Sequence, residues 1–120
     1  MKVKTSELTG AALDWAVAKC ERRDPVTIYG VLYECGDDGC NRHARYSIDW
    51  SQGGPIIERE NINLYQDCPV GPKATLTPDV VRQPHFYFVA YGPTPLIAAM
   101  RCYAASKLGE EVEVPEELIP

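Results

Sequence analysis

Apolar residues recur every three or four positions near the start of the chain, at Leu8, Ala12, Leu13, Ala16, Val17 and Cys20. That spacing predicts an amphipathic helix. Thr9 is placed to cap it, Arg22 and Arg23 suit its final turn, and Asp24-Pro25 stops it. The pattern then changes. "VTIYGVLYEC" is rich in β-branched and aromatic residues and predicts a strand. "GDDG" (36–39) reads as a turn, and "NRHARYSIDW" returns as the second arm of a hairpin. Residues 51–55 read as a loop, and "IIERENINLY" as a short strand or extended segment. Four prolines between 66 and 84 predict mostly loop. "HFYFVAY" (85–91) is the clearest strand pattern and predicts a central position.

A second helix is signposted at both ends in "GPTPLIAAMRCYAASKLGEE". Thr94 is its cap, Pro95 its first residue and Gly109 its left-handed stop. Ile97, Met100, Ala104 and Leu108 form one apolar stripe, and the alanines keep the helix slim. "EVEV" adds a short strand closed by Pro115. The expected fold is α+β, with two helices packed on a small, mostly antiparallel β-sheet and residues 1–120 forming one domain.

Charge narrows the function classes. The chain has 17 acidic and 12 basic residues, for a net charge of −5. Glu110, Glu111, Glu113, Glu116 and Glu117 supply the whole excess, so the body is neutral and the tail acidic. A neutral body argues against duplex DNA, which selects a basic face. No apolar run approaches the roughly 20 residues of a membrane span. The start "MKVKTSELTG" has no apolar signal core, so a cytoplasmic location is expected. The five cysteines are then expected as free thiols.

Catalytic motifs are absent; the only histidines are His43 and His85, and His85 has no nucleophile beside it. Cys35, Cys40 and His43 are irregularly spaced for zinc and would need Cys20 or Cys68 to complete a set. A hairpin tip with two thiols is the simpler reading, and no metal or cofactor is expected. Two stretches could instead hold a ligand. "DWSQGGPIIERE" sets Trp50, a flat ring suited to a base, before Ser51, Gln52, Gly53, Gly54 and Pro55, where backbone N–H groups could be offered. The plain alternative is a turn with Trp50 in a small core. "YGPTPL" opens the second helix, where Thr94 either caps the helix or touches an anion. Glu58 and Glu60 would share a strand face, as surface charges or an acid–base pair, while Arg59 and Arg101 suit phosphate oxygens.

Three blocks go beyond local chemistry: "MKVKTSELTGAALDWAVAKCE", "DWSQGGPIIERE" and "GPTPLIAAMRCYAASKLGEEVEVPEEL". Together they resemble the NinX-type proteins of tailed phages and prophages. The hairpin "VLYECGDDGCNRHARYS" and the Pro-rich segment before His85 depart from that pattern, so no role for Cys35, Cys40 or His43 is carried over. The resemblance implies a phage accessory protein in the bacterial cytoplasm and transfers no catalytic residues. It points to Trp50, Gly53, Gly54, Pro55, Glu58, Arg59, Gly92, Pro93, Thr94, Pro95 and Arg101, which the residue chemistry also selects.

The leading expectation is therefore a binding protein, not an enzyme. It would sequester a small, nucleotide-like anion, such as a host immune signal, between the protomers of a dimer or larger homo-oligomer. Two alternatives stay open: a module that docks a host protein through Trp50, and a nucleotide-processing enzyme with Glu58 or Glu60 as base.

Overall fold

The computed structural model describes residues 1–29, 31–35, 41–66, 69–79 and 81–118. Elements follow in the order β1 (Lys2–Lys4), α1 (Gly10–Cys20), β2 (Pro25–Ile28), β3 (Val31–Cys35), β4 (Asn41–His43), α2 (Trp50–Glu60), β5 (Asn63–Tyr65), β6 (Lys73–Leu76), β7 (Phe88–Tyr91), α3 (Pro95–Leu108) and β8 (Glu111–Glu113). The α+β class holds, with every strand pair antiparallel. The arrangement differs from two helices on one sheet: among the described residues there are three α-helices and three small sheets, ordered β1-β8, β2-β3-β4 and β5-β6-β7.

The two expected helices form where local signals placed them. Thr94 Oγ1 accepts from Ile97 N at 3.1 Å, Pro95 opens α3, and Gly109 follows it with φ 87°. Thr9 holds the cap position of α1 but makes no side-chain cap bond. Helix α3 is the central element: Ala98, Ala99, Met100, Cys102, Tyr103 and Ala104 are all buried, and it packs on β6, β7 and α1. A helix of small residues lets those neighbours approach closely.

The largest correction is α2. Residues 51–60 are helical, not a loop followed by a strand. Two glycines and Pro55 are poor helix formers, and Pro55 removes one backbone donor. Two other forces win. Asp49 Oδ1 caps the helix by accepting from Ser51 N at 2.9 Å. Gly53 and Ile56 bury one side while Ile57 packs against the core, a helical spacing. Asn61, with φ 56°, closes the helix in the left-handed conformation that Asn tolerates.

Three strand expectations also change. "VTIYGVLYEC" splits into β2 and β3, which pair with each other, with Ile28 opposite Val31. Residues 73–76, read as loop, form β6, the middle strand of the third sheet, with Ala74, Thr75 and Leu76 buried. The aromatic strand shortens to β7 and lies at the sheet's edge, not its centre. The expected GDDG turn and Cys40 lie outside the described residues. No described helix is long and apolar enough to cross a membrane.

Candidate functional site

The helical form of α2 disperses the residues that the sequence groups together. Trp50 sits in its first turn, 53 % exposed, beside Ile48 at 62 %. Arg59 lies nine residues on, roughly 13 Å along the axis at the usual helical rise. Trp50 and Arg59 therefore do not line one recess. Trp50, Gly53 and Gly54 are absent from the linings of four recesses found among the described residues.

Most of the expected binding residues have internal partners. Ser51 donates its hydroxyl to Asp49 Oδ1 at 2.6 Å. Gln52 is a latch: its Oε1 accepts from Arg45 N at 2.7 Å and its Nε2 donates to His43 O at 2.8 Å. Gly53 is buried where a Cβ would stand 2.6 Å from both Leu96 Cδ1 and Tyr46 O, so its role is close helix packing. Gly54 has room for a Cβ, with only the Trp50 ring near, at 3.9 Å. Pro55 and Glu58 are exposed. Thr94 caps α3. Arg101 donates to Leu8 O at 2.7 Å and Tyr91 O at 2.8 Å, tying the approach to α1 to the end of β7. Burial lowers the pKa of its guanidinium. Gly92, two residues before the cap of α3, also lies close to that helix: a Cβ there would stand 2.9 Å from Ala98 N.

Of the selected set, Arg101 lines two recesses, one of them with Gly92 and Pro93, but its guanidinium is engaged by Leu8 O and Tyr91 O; Arg59 stands at a third, more basic recess. Its guanidinium grips Glu21 with both prongs, Nη1 to Oε1 at 3.0 Å and Nη2 to Oε2 at 2.6 Å. Its Nε donates to Glu60 at 2.9 Å. The buried Tyr103 hydroxyl donates to Glu21 Oε2 at 2.6 Å and accepts from Arg59 Nη2 at 3.1 Å. Burial pulls the Glu21 carboxyl upward, but the bonds from Arg59 and Tyr103 prevail and hold it below the ordinary range. Those pairings raise Arg59 in turn.

This triad forms one wall of a recess of about 440 Å³, also lined by Lys19, Cys20, Arg22, Lys107 and Leu108. Four cations thus line the recess with Glu21, and Arg59 among them is also paired with Glu60. Lys19, Arg22 and Lys107 have no carboxylate partner among the described residues, and the Lys19 ammonium rests 5.7 Å from the Trp15 ring centroid. Arg22 also carries backbone strain. It adopts φ 59°, with Arg22 N donating to Lys19 O and Arg23 N to Ala18 O. This helix stop normally takes glycine, because a Cβ is penalised in the left-handed region. The recess was missed in the sequence because residues 19, 22, 59 and 107 come from three helix ends. Their one local signal, cations in final turns, has an ordinary explanation in the helix dipole.

Reactive groups are subdued here. Burial pushes the Cys20 thiol up to about 12, and Glu21 is fully engaged. Cys20 and Cys102 are free thiols. Among the described residues no group of three metal-ligating side chains gathers, and Cys40 of the weighed zinc set lies outside them.

The fold and recess define a small α+β protein with a basic pocket where the ends of three helices meet. The chain belongs to the NinX family of phage proteins: the family model described as Bacteriophage P22, NinX matches residues 4–107. That membership makes it a phage accessory protein. No curated protein matches the chain.

Proposed function

We propose that this phage protein binds a small, multiply charged anion of the nucleotide-phosphate class and holds it without turnover. The observation that carries the reading is the meeting of Lys19, Arg22 and Lys107, none with a carboxylate partner among the described residues, beside the Arg59–Glu21–Tyr103 triad. Retention is favoured over reaction because the recess offers neither a free base nor a reactive thiol. Its one carboxylate accepts three hydrogen bonds, and its thiol stays protonated at neutral pH. A protein that withdraws a nucleotide-derived signal in this way would blunt a host defence that depends on it.

The test is native mass spectrometry of the protein taken from infected host cells. The expected result is a retained anion, recovered intact after heat denaturation and lost in the Arg22→Glu/Lys107→Glu double variant. If neither the isolated protein nor the protein supplied with host small-molecule extract carries an anion, the reading fails.

A second reading is favoured by one observation. Trp50 and Ile48 stand exposed together at the start of α2, and a solvent-facing tryptophan beside an apolar neighbour is typical of a protein-docking anchor. Crosslinking in host lysate would then yield a partner that Trp50→Ala loses, while anion retention is unchanged. Identical crosslinks in the variant would remove this reading.

A further inference from the structure

We infer that the recess recognises a chain of phosphates rather than one phosphate or a nucleobase; this rests on the anion-binding reading above.

Size is the first argument. The recess spans about 440 Å³ and opens broadly to solvent, which leaves space for an extended anion. A lone phosphate would sit loosely there.

Charge is the second. Arg59 is held by Glu21 and Glu60, which leaves Lys19, Arg22 and Lys107 as the cations of the lining without a carboxylate partner among the described residues. The nearby ends of α1, α2 and α3 each contribute roughly half a negative charge, which still leaves the recess positive. A chain of phosphates can meet these three cations at once with separate oxygens, whereas a single monovalent group cannot reach them all.

Placement is the third. Lys19 and Arg22 come from the end of α1, Arg59 from the last turn of α2 and Lys107 from the last turn of α3. Available cations at the ends of two elements, α1 and α3, suit an extended ligand that spans them. Arg59 is already forked onto Glu21, so Lys19, Arg22 and Lys107 carry the ligand.

The lining also argues against base recognition. Its one ring, Tyr103, is 2 % exposed and offers no stacking face. The exposed indole of Trp50 lies at the far end of α2. Specificity therefore resides in the phosphates, and a nucleoside attached to them extends into solvent.

Arg22 supports a functional use of these cations. Glycine would end α1 without strain, yet an arginine is held at φ 59° at the rim of the recess. Strain of this kind gathers where a side chain serves function.

The experiment is calorimetric titration at low salt with inorganic phosphate, pyrophosphate, triphosphate and a nucleoside triphosphate. Affinity is expected to rise at each added phosphate, by about tenfold or more from phosphate to triphosphate. Adding the nucleoside should change it less than about threefold. Arg22→Gly removes a cation and relieves the left-handed strain, so its melting temperature should rise while triphosphate affinity falls by about tenfold. Lys107→Gln should show the same loss without the gain in stability. Equal affinity for phosphate and triphosphate overturns the chain inference and leaves the anion reading standing. So does tight triphosphate binding that survives both substitutions. Failure of all four probes removes both.

Discussion

Gly53 on α2 is seated directly against the Leu96 side chain of α3. A Cβ on Gly53 would stand 2.6 Å from Leu96 Cδ1 and equally close to Tyr46 O, a backbone atom that cannot swing away. One position along, Gly54 faces open space beside Trp50. Adjacent glycines in one helix thus have opposite roles. Gly53→Ala should destabilise by about 2–3 kcal/mol through overpacking, despite alanine's better helix propensity. Gly54→Ala should stabilise by about 0.5–1 kcal/mol. Urea denaturation of both variants checks the pair, and equal effects would refute the packing account.

The Tyr103 hydroxyl is buried between Glu21 and Arg59. Tyr103→Phe should cost about 1–2 kcal/mol, since it removes a hydrogen bond to a charged partner. The pH dependence follows from Glu21. Its carboxyl is held below its unfolded value, so its contribution is present above the ordinary carboxylate range and is lost as pH falls through the folded value. The stability gap between the parent protein and Glu21→Gln should be widest near neutrality and narrow below about pH 4. Thermal melts across that range measure it.

Asp14 has the opposite sign. It is 6 % exposed and accepts from Ser47 N at 2.8 Å. Burial raises its carboxyl, outweighing the Ser47 bonds and the charges of His43 and Arg45. Folding therefore favours the neutral form, and stability falls as pH rises from the unfolded value through the folded one. Asn can still accept from Ser47 without the buried charge. Asp14→Asn should be the more stable protein at neutral pH, by up to about 1 kcal/mol, with the advantage vanishing below about pH 4. A variant less stable at pH 7 would contradict this.

Arg101 joins Leu8 O and Tyr91 O through one guanidinium. A lysine cannot reproduce that fork. Arg101→Lys should cost about 1–2 kcal/mol in chemical denaturation, and anion affinity should stay within about twofold of the parent. A large loss of affinity with little loss of stability would return Arg101 to the binding role its sequence context suggests.

Local chemistry was enough to determine several features of this chain. Thr94, Pro95 and Gly109 bracket α3 because capping, a fixed φ and a left-handed stop act over one turn of backbone. The apolar periodicity from Leu8 to Cys20 likewise sets α1, and the Glu-Val alternation sets β8. The NinX resemblance was legible for a similar reason, since it rests on contiguous blocks. Helix α2 was not legible. Its glycines and proline argue against a helix, and only Asp49 together with the close seat of Gly53 on Leu96 overrules them. Strand β6 was hidden too, because four residues become a strand only when β5 and β7 flank them. The basic recess is wholly a product of packing. Lys19, Arg22, Arg59 and Lys107 each look like an ordinary helix-end cation until the ends of three helices meet. Propensity and capping act between neighbours in sequence, whereas steric fit and summed charge depend on which distant residues the fold brings side by side.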